Sequence, residues 1–532
     1  MFELVITNGL VLDGTGREAQ PVDVAVDRGK IAALGANLAA QAARVIDAGG
    51  QFVTPGFIDI HSHGDLMPFM GPPVRYAKIL QGVTTEVTGQ CGLGVAPYLK
   101  DTMAGWREYL TPITGNPGDE LWDWPSFGDY LEALRKASLP ANMAPLVSHG
   151  AIRAQVLGLG DVQPTGKDLE RMGAILKDSF EAGAFGISFG LAYVPGVFAP
   201  AEEVLALARI AAAYDKVMMV HIRNHGRLVE QSLREVLEIA RETGVRLQIS
   251  HLKSYANRRY GVEADRLIAP VEEAKQQGVD VAFDEHPYTA GSTTLSQILP
   301  PWAKEGGGAR IVERLGDPAV VAAVKEAIER VDQDHWDNYV GMIGWDNVLV
   351  SSVCCPENRE YQGKSIAEIA RLRGETEMEA AIYLLTSEKA ECGMVMRDVF
   401  AEADNRLLIR HPLCQIGSDG LPTGNPHPRL YSAFPKYLAH YIRDLKLLDW
   451  PEGIKKITKD AADRAGIKDR GTITVGKRAD LVIFDPDQIR DREDYLRPER
   501  VPAGISYVFV NGNIAVAHGQ VACDHGGQVL GM

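Results

Sequence analysis

Cysteine is scarce in this chain, and its placement excludes one class of protein. The six cysteines among 532 residues (Cys91, Cys354, Cys355, Cys392, Cys414 and Cys523) are scattered and form no framework of the kind that staples small secreted domains. Long apolar runs are also missing. No window approaches the roughly 18 apolar residues of a membrane span, and the opening MFELVITNGLVLDG has no basic segment followed by an apolar one. Positive charge is in deficit, with 55 Lys and Arg against 70 Asp and Glu and a formal net charge of -15. Phosphate-rich partners need clustered cations, so neither nucleic acid nor an anionic membrane is expected as a partner. Internal repeats and low-complexity tracts are absent as well. What remains is an ordinary globular composition, 45% hydrophobic and 23% charged, in a chain longer than a typical single domain. A reduced, cytoplasmic setting is the expectation.

Residues 1–54 read as short strands joined by N-G and D-G turns, as in LVITNGLVLDG and VDVAVDRGKIAALG. The same texture returns over 471–532, in GTITVGKRADLVIFDPD and ISYVFVNGNIAVAHGQ, which predicts one small β-sandwich domain built from both chain ends. Between them, apolar β-branched runs alternate with helix-like segments such as EEVLALARIAAAYD and VEEAKQQG. Eight strand candidates stand in order: GFIDIHSHGD, TTEVTGQCG, MAPLVSHG, GAFGISFGL, VMMVHIRNHG, LQISHLKS, DVAFDEHPYTA and CQIGSDGLP. Such alternation predicts an α/β fold, a (β/α)₈ TIM-like barrel over 55–470. The excursion from about Pro300 to Arg410, which includes the helix-like VVAAVKEAIERV, is too long for a simple connection and is expected to be an insertion over the barrel mouth.

The polar residues of the eight runs fall at their C-terminal ends, where a barrel of this kind carries its functional groups. His61 and His63 are two apart and so co-facing on a strand. Cys91, His221, His251 and Asp419 end other runs. One thiolate with two imidazoles (Cys91, His221, His251) is a borderline-soft set that suits zinc, and His61 with His63 could hold a second ion with Cys91 between the two. Asp419 stands where a carboxylate can take a proton from water and return it to a leaving nitrogen. Each residue alone has a blander reading: a buried small hydrophobe for Cys91, a turn residue for Asp419. The convergence of the set favours the metal. His149 reads as support behind the ligands or as simple packing, not as a ligand, and His225, His286 and His427 are as compatible with structure as with substrate. Cys354 and Cys355 are read as structural, and the tryptophans of WREYLTPITGNPGDELWDWP as cap packing.

PGFIDIHSH, GVTTEVTGQCGLGVAP, HIRNHG, ISHLK, HPYTAGSTTL, LPPWA, GSDGLPTGNPHPRL and GKRADLVIFDPD together resemble the amidohydrolase superfamily, and within it the N-acyl-D-amino-acid deacylases, along essentially the whole chain. The HxH and SDG pieces mark only the superfamily, many members of which bridge two metals with a carboxylated lysine on the fourth strand. GAFGISFGLAY offers no lysine, whereas Cys91 stands where the D-aminoacylases carry a metal-binding cysteine. The resemblance implies zinc held tightly by Cys91, His221 and His251, an auxiliary site at His61 and His63, and Asp419 as acid/base. It also implies substrate contacts from Lys253, Tyr288, Ser292 and Arg429, the two cations meeting a free α-carboxylate. Zinc-dependent hydrolysis of N-acyl-D-amino acids, small molecules, is therefore expected, with homo-oligomerisation left open. The alternatives are another amidohydrolase reaction, on a cyclic amide (hydantoin or dihydropyrimidine) or a dipeptide, and an inactive scaffold that keeps the barrel alone. HIRNHG departs from the usual, more acidic continuation. The loop from His286 to Trp302 has no Lys or Arg, and Leu295, Ile298, Leu299 and Trp302 are expected to line an apolar pocket for a neutral or hydrophobic side chain.

Overall fold

The computed structural model describes residues 1–330 and 336–531. Val331, which ends the predicted helical run of the insertion, and Met532, which ends the chain, lie outside the described residues.

All eight strand candidates form strands. In chain order they are Phe57–Asp59, Val83–Glu86, a third run split into Asn142–Met143 and Val147–Ser148, Gly186–Gly190, Val217–His221, Arg246–Ile249, Val281–Glu285 and Cys414–Ile416. Neighbours pair in parallel, with Gly186 to Gly190 in register against Val217 to His221. The strands fall into two sheets, one of three strands and one of six, and no single closed ladder is present among the described residues. The third run is split at Pro145, which has no N–H to give to a ladder. The run still bonds to both neighbours across the split, with Ala144 N donating to Glu86 O at 2.8 Å, Leu146 N to Thr88 O at 2.9 Å and Phe185 N to Pro145 O at 3.0 Å. At the other seam the first and last strands meet through a parallel bridge between Ser62 and Gly420, and Asp419 N donates to His61 O at 2.8 Å.

Helices cover the outside of these strands. Val229–Thr243 buries Val229, Leu233, Val236, Leu237 and Ala240, an i, i+4, i+7 stripe that faces inward while its acidic and basic residues face out. Gly166–Ala182 starts from a capping box in which Thr165 and Asp168 satisfy each other's backbone N–H.

The two chain ends build one β unit. Leu10–Val11 and Phe52–Pro55 join Leu481–Phe484, Ile505–Val510, Asn513–Ala517 and Gln520–Val521 in a six-stranded sheet. A four-stranded sheet packs with it around Leu4, Ile6, Val24, Val53, Leu481 and Ile483. Alternation along Leu481–Phe484 sends Leu481 and Ile483 into that core, while Val482 and Phe484 join the main core with the parallel strands.

The insertion has its own core. Its antiparallel sheet orders Gly291–Thr294, Gly393–Met396 and Val348–Ser352, so it takes in a strand that precedes Pro300. Leu295, Ile298 and Leu299 are buried in this core and Trp302 is 45% exposed. These four residues do not line the central cavity, contrary to the expectation above. They follow the sheet's first strand and pack with its helices. The tryptophan-rich segment is also more regular than a loop: Ala104–Thr114 is helical, and Trp106, Trp122 and Trp124 are buried as cap packing.

Candidate active site

At the C-terminal ends of the parallel strands, Cys91 Sγ lies 3.3 Å from His61 Nε2 and 3.3 Å from His251 Nε2, and His221 Nδ1 lies 2.8 Å from His251 Nε2. Cys91, His221 and His251 bring one ligand atom each within 4.8 Å of one another; His61, His63 and Cys91 do the same, and so do His61, His251 and Asp419. Asp419 Oδ1 is 3.2 Å from His63 Nε2 and 3.6 Å from His61 Nε2, and its Oδ2 is 2.9 Å from Arg429 Nη1.

The backbone turns sharply to make this convergence. Cys91 (φ 55°), His251 (φ 33°) and Asp419 (φ 50°) all adopt left-handed conformations, which are strained for residues other than glycine. Glycine accommodates the turn at one contact: a Cβ on Gly190 would stand 1.7 Å from Cys91 O. The fourth strand is thus small where it meets the cysteine loop.

Electrostatics fit a cation. Burial holds the His221 and His251 imidazoles well below their usual range, so both are neutral and have lone pairs to offer. Burial pushes the Cys91 thiol up, only partly offset by His61, and a bound cation would hold it as the thiolate. For His61, burial acts downward but the Asp284 and Cys91 charges outweigh it, and the net shift is well upward. Burial raises Asp419, yet Arg429 and the histidines outweigh it and keep the carboxyl well below the ordinary carboxylate range. His63 Nδ1 and His221 Nε2 are buried without hydrogen-bond partners. Two ligands on one tetrahedral zinc stand roughly 3.5 Å apart for a sulfur and a nitrogen, close to the thiolate–imidazole spacings here.

The cavity above this cluster has an empty volume of ≈ 570 Å³ and opens to solvent. Lys253, Ser292 and Arg429 line it as expected, but Tyr288 does not. Tyr288 N bonds back to His286 O at 2.8 Å, a tight turn that swings the tyrosine out; its ring lies 4.1 Å from Lys436 Nζ and edge-on to His427. His286, two residues earlier, occupies the wall instead, with its Nδ1 unpartnered. Lys253 Nζ is fully engaged: Glu285 Oε1 at 2.7 Å, Tyr288 O at 2.9 Å, Asn405 Oδ1 at 3.0 Å and His286 O at 3.2 Å. Arg429 Nη2 donates to Ser292 O at 3.2 Å, while its Nε is buried without a partner. The remaining wall is apolar or aromatic and includes Ile113 from the tryptophan-rich segment and Tyr339, Met396 and Phe400 from the insertion. His149 stays out of the cavity, paired with Glu203 at 2.6 Å. His225 does line it, with Nδ1 3.1 Å from Lys253 O.

Two buried carboxylates beneath the site escaped the sequence reading. Asp59 accepts from Ser418 N at 2.8 Å and pairs with Lys78 at 2.5 Å, tying the first strand to the loop that carries Asp419. Asp284 contacts His61 Nδ1 at 2.8 Å. The only signal in the sequence was an acidic residue near the end of an otherwise apolar strand, followed in the case of Asp284 by a second acid.

Residues 44–516 match the amidohydrolase family. An N-acyl-D-glutamate deacylase of Alcaligenes xylosoxydans xylosoxydans is 35% identical over 96% of this chain and 93% of its own length. Among solved structures, an N-acyl-D-glutamate deacylase from Bordetella bronchiseptica, complexed with zinc and a phosphonate mimic of the tetrahedral intermediate, superposes with a TM-score of 0.84 at 32% identity and covers both chains completely. A D-aminoacylase whose binuclear metal centre shows one-metal activation and second-metal attenuation superposes with a TM-score of 0.83 at 31% identity, again over 100% of each chain. The chain belongs to the amidohydrolase family, in its D-aminoacylase branch, and is a zinc-dependent hydrolase. No helix among the described residues is long and apolar enough to cross a membrane.

Proposed function

We propose that this chain hydrolyses the amide bond of N-acyl-D-amino acids, releasing a carboxylate and a free D-amino acid. The observation that carries the reading is the convergence of Cys91, His221 and His251 with Asp419 and Arg429 at one cavity mouth. The D preference rests on the similarity to the deacylases named above. The two parallel sheets are read as arcs of one eight-stranded barrel spanning 55–470, with the insertion at about 300–410 over its mouth. Residues 1–54 and 471–532 are read as the β-sandwich domain. The scattered free cysteines suit a cytoplasmic setting.

Cys91, His221 and His251 would hold a zinc ion, with His61 and His63 as a weaker second position, and the ion would supply a Lewis acid for the acyl carbonyl and for water. Asp419, kept as a carboxylate by Arg429 and the histidines, accepts a proton from the attacking water and passes it to the leaving nitrogen. Arg429 offers its unpartnered Nε to the substrate α-carboxylate, while Lys253, already saturated, contributes its charge and fixes the turn at His286. Ser292, whose hydroxyl donates to Met394 O at 3.0 Å, can accept from substrate, and His286 takes the wall position expected for Tyr288.

The side chain is proposed to be neutral, and hydrophobic in preference. Among the described residues, Lys253 and Arg429 are the only Lys or Arg lining the cavity, and both are ion-paired already, with Glu285 and Asp419. Incubation of zinc-loaded protein with N-acetyl-D-methionine, a hydantoin and a dihydropyrimidine tests the reaction class. Stoichiometric acetate and D-methionine, without ring opening of the cyclic amides, is the expected result; ring opening alone would refute it.

A further inference from the structure

Asp284 lies on the seventh parallel strand, 1% exposed, beneath the two proposed metal positions. Its Oδ1 is 2.8 Å from His61 Nδ1 and accepts His251 N–H at 2.9 Å, and its Oδ2 accepts Gln248 Nε2 at 3.0 Å. No Lys or Arg among the described residues pairs with it, whereas the adjacent Glu285 pairs with Lys253. A buried carboxylate met only by N–H dipoles and one imidazole is an expensive arrangement, and such groups persist where they serve a site.

The geometry specifies that service. Because the Asp284 carboxylate can only accept, it fixes a proton on His61 Nδ1, so that Nε2, 3.3 Å from Cys91 Sγ, is the nitrogen left to offer a lone pair to a cation. The same oxygen holds the peptide N–H of His251 in its left-handed turn (φ 33°), the turn that aims His251 at Cys91 and His221. One carboxylate therefore touches one ligand of each position. His63 Nδ1 and His221 Nε2 have no comparable brace.

We propose that Asp284 is a positioning residue that orients His61 through Nδ1 and thereby sets the affinity of the second metal position, while its backbone contact to His251 keeps that position in register with the tight one. The inference rests on the zinc reading given above. Its consequence is selective. Asp284→Asn keeps an oxygen for His251 N–H but removes the charge opposite His61 Nδ1, so the second equivalent should weaken and the first should not. Loss of such outer carboxylates typically lowers metal affinity roughly 10–100-fold.

The test titrates Co²⁺ and Zn²⁺ into apoprotein of wild type, Asp284→Asn and Asp284→Glu, following stoichiometry, the Cys91 thiolate-to-Co²⁺ absorption band and the unfolding temperature of each apoprotein. The expected result is a tenfold or greater loss of affinity for the second equivalent in Asp284→Asn. The thiolate band from the first equivalent should be unchanged, and Asp284→Glu should recover part of the loss. Equal affinities in Asp284→Asn and wild type would overturn the proposal. So would parallel weakening of both equivalents with a lowered apoprotein unfolding temperature, which marks a merely structural residue. If Asp284→Asn fails to fold, Asp284→Glu decides alone: a weakened second equivalent beside a normal first supports the proposal, and any other pattern refutes it. A wild type that gives no thiolate band would sink the zinc reading itself, an outcome distinct from these.

Discussion

Replacing a leucine by a glutamate side chain on the substrate probes the cavity wall directly. In the wall, Leu93, Ile113, Met396, Phe400 and Leu421 face the space above the metal ligands, with Tyr193, Tyr255 and Tyr339 among them. Placing a D-leucine side chain against such surface is worth about 1.5–3 kcal/mol when burial is complete. A carboxylate in the same place meets no further cation, because Lys253 sits 2.7 Å from Glu285 and Arg429, 2.9 Å from Asp419, gives its remaining N–H to the α-carboxylate. An unpaired polar group costs about 1–3 kcal/mol on protein scales, and an ionised one more. Even with the open mouth halving both effects, the difference is about 1–3 kcal/mol, or roughly 10- to 150-fold in kcat/KM. The assay compares N-acetyl-D-leucine, N-acetyl-D-methionine and N-acetyl-D-glutamate under zinc saturation. Met396→Lys, which places a cation in the wall, should narrow the gap by about tenfold. A tenfold or larger preference of the wild type for the glutamate compound would refute the wall argument while leaving the metal chemistry untouched. The 35% identity to an N-acyl-D-glutamate deacylase does not decide the matter, since a D-aminoacylase is 31% identical over the whole of this chain.

Cys91→Ala should lose both tight zinc and turnover, checked by metal analysis beside a rate measurement, whereas His61→Ala should leave the tight equivalent in place. Asp419→Asn should keep zinc and fold but lose ~10²- to 10⁴-fold in kcat; a loss under about tenfold would assign the proton transfer elsewhere. Lys304, buried within the insertion with Nζ 2.5 Å from Gln297 Oε1, is pulled down to about 7 by burial. Between that value and the ordinary lysine value the unfolded chain binds the extra proton, so stability should rise with pH across this window. Lys304→Met should flatten the rise and be more stable than wild type at pH 7, by at most about 4 kcal/mol, as read from urea unfolding at several pH values.

The metal-ligand candidates were legible because each stands where an apolar strand ends, a position at which a lone polar residue has few structural uses. The substrate side of the cavity was less so. Tyr288 and His286 lie in one loop, and the turn that places His286 rather than Tyr288 at the cavity wall is set by a backbone hydrogen bond and by Lys253, a residue of another strand. Leu295, Ile298 and Leu299 read as pocket-forming because they follow the substrate loop, but the insertion has a core of its own that claims them. Tyr339, Met396 and Phe400 reach the wall from far along the chain, by packing that no local pattern encodes. Pro145 was visible within the third strand, yet the division into two sheets where one ladder was expected follows from pairing with neighbours remote in sequence. Asp284, one of two adjacent acids at the end of a buried strand, became identifiable only through its contact with His61.

The most direct measurement is the rate of amino-acid release from the D and L enantiomers of N-acetylmethionine by protein carrying one equivalent of zinc, with the metal-free protein as control. The account predicts release from the D enantiomer, little or none from the L, and none without metal. Equal rates on both enantiomers, or turnover that survives removal of the metal, would contradict it.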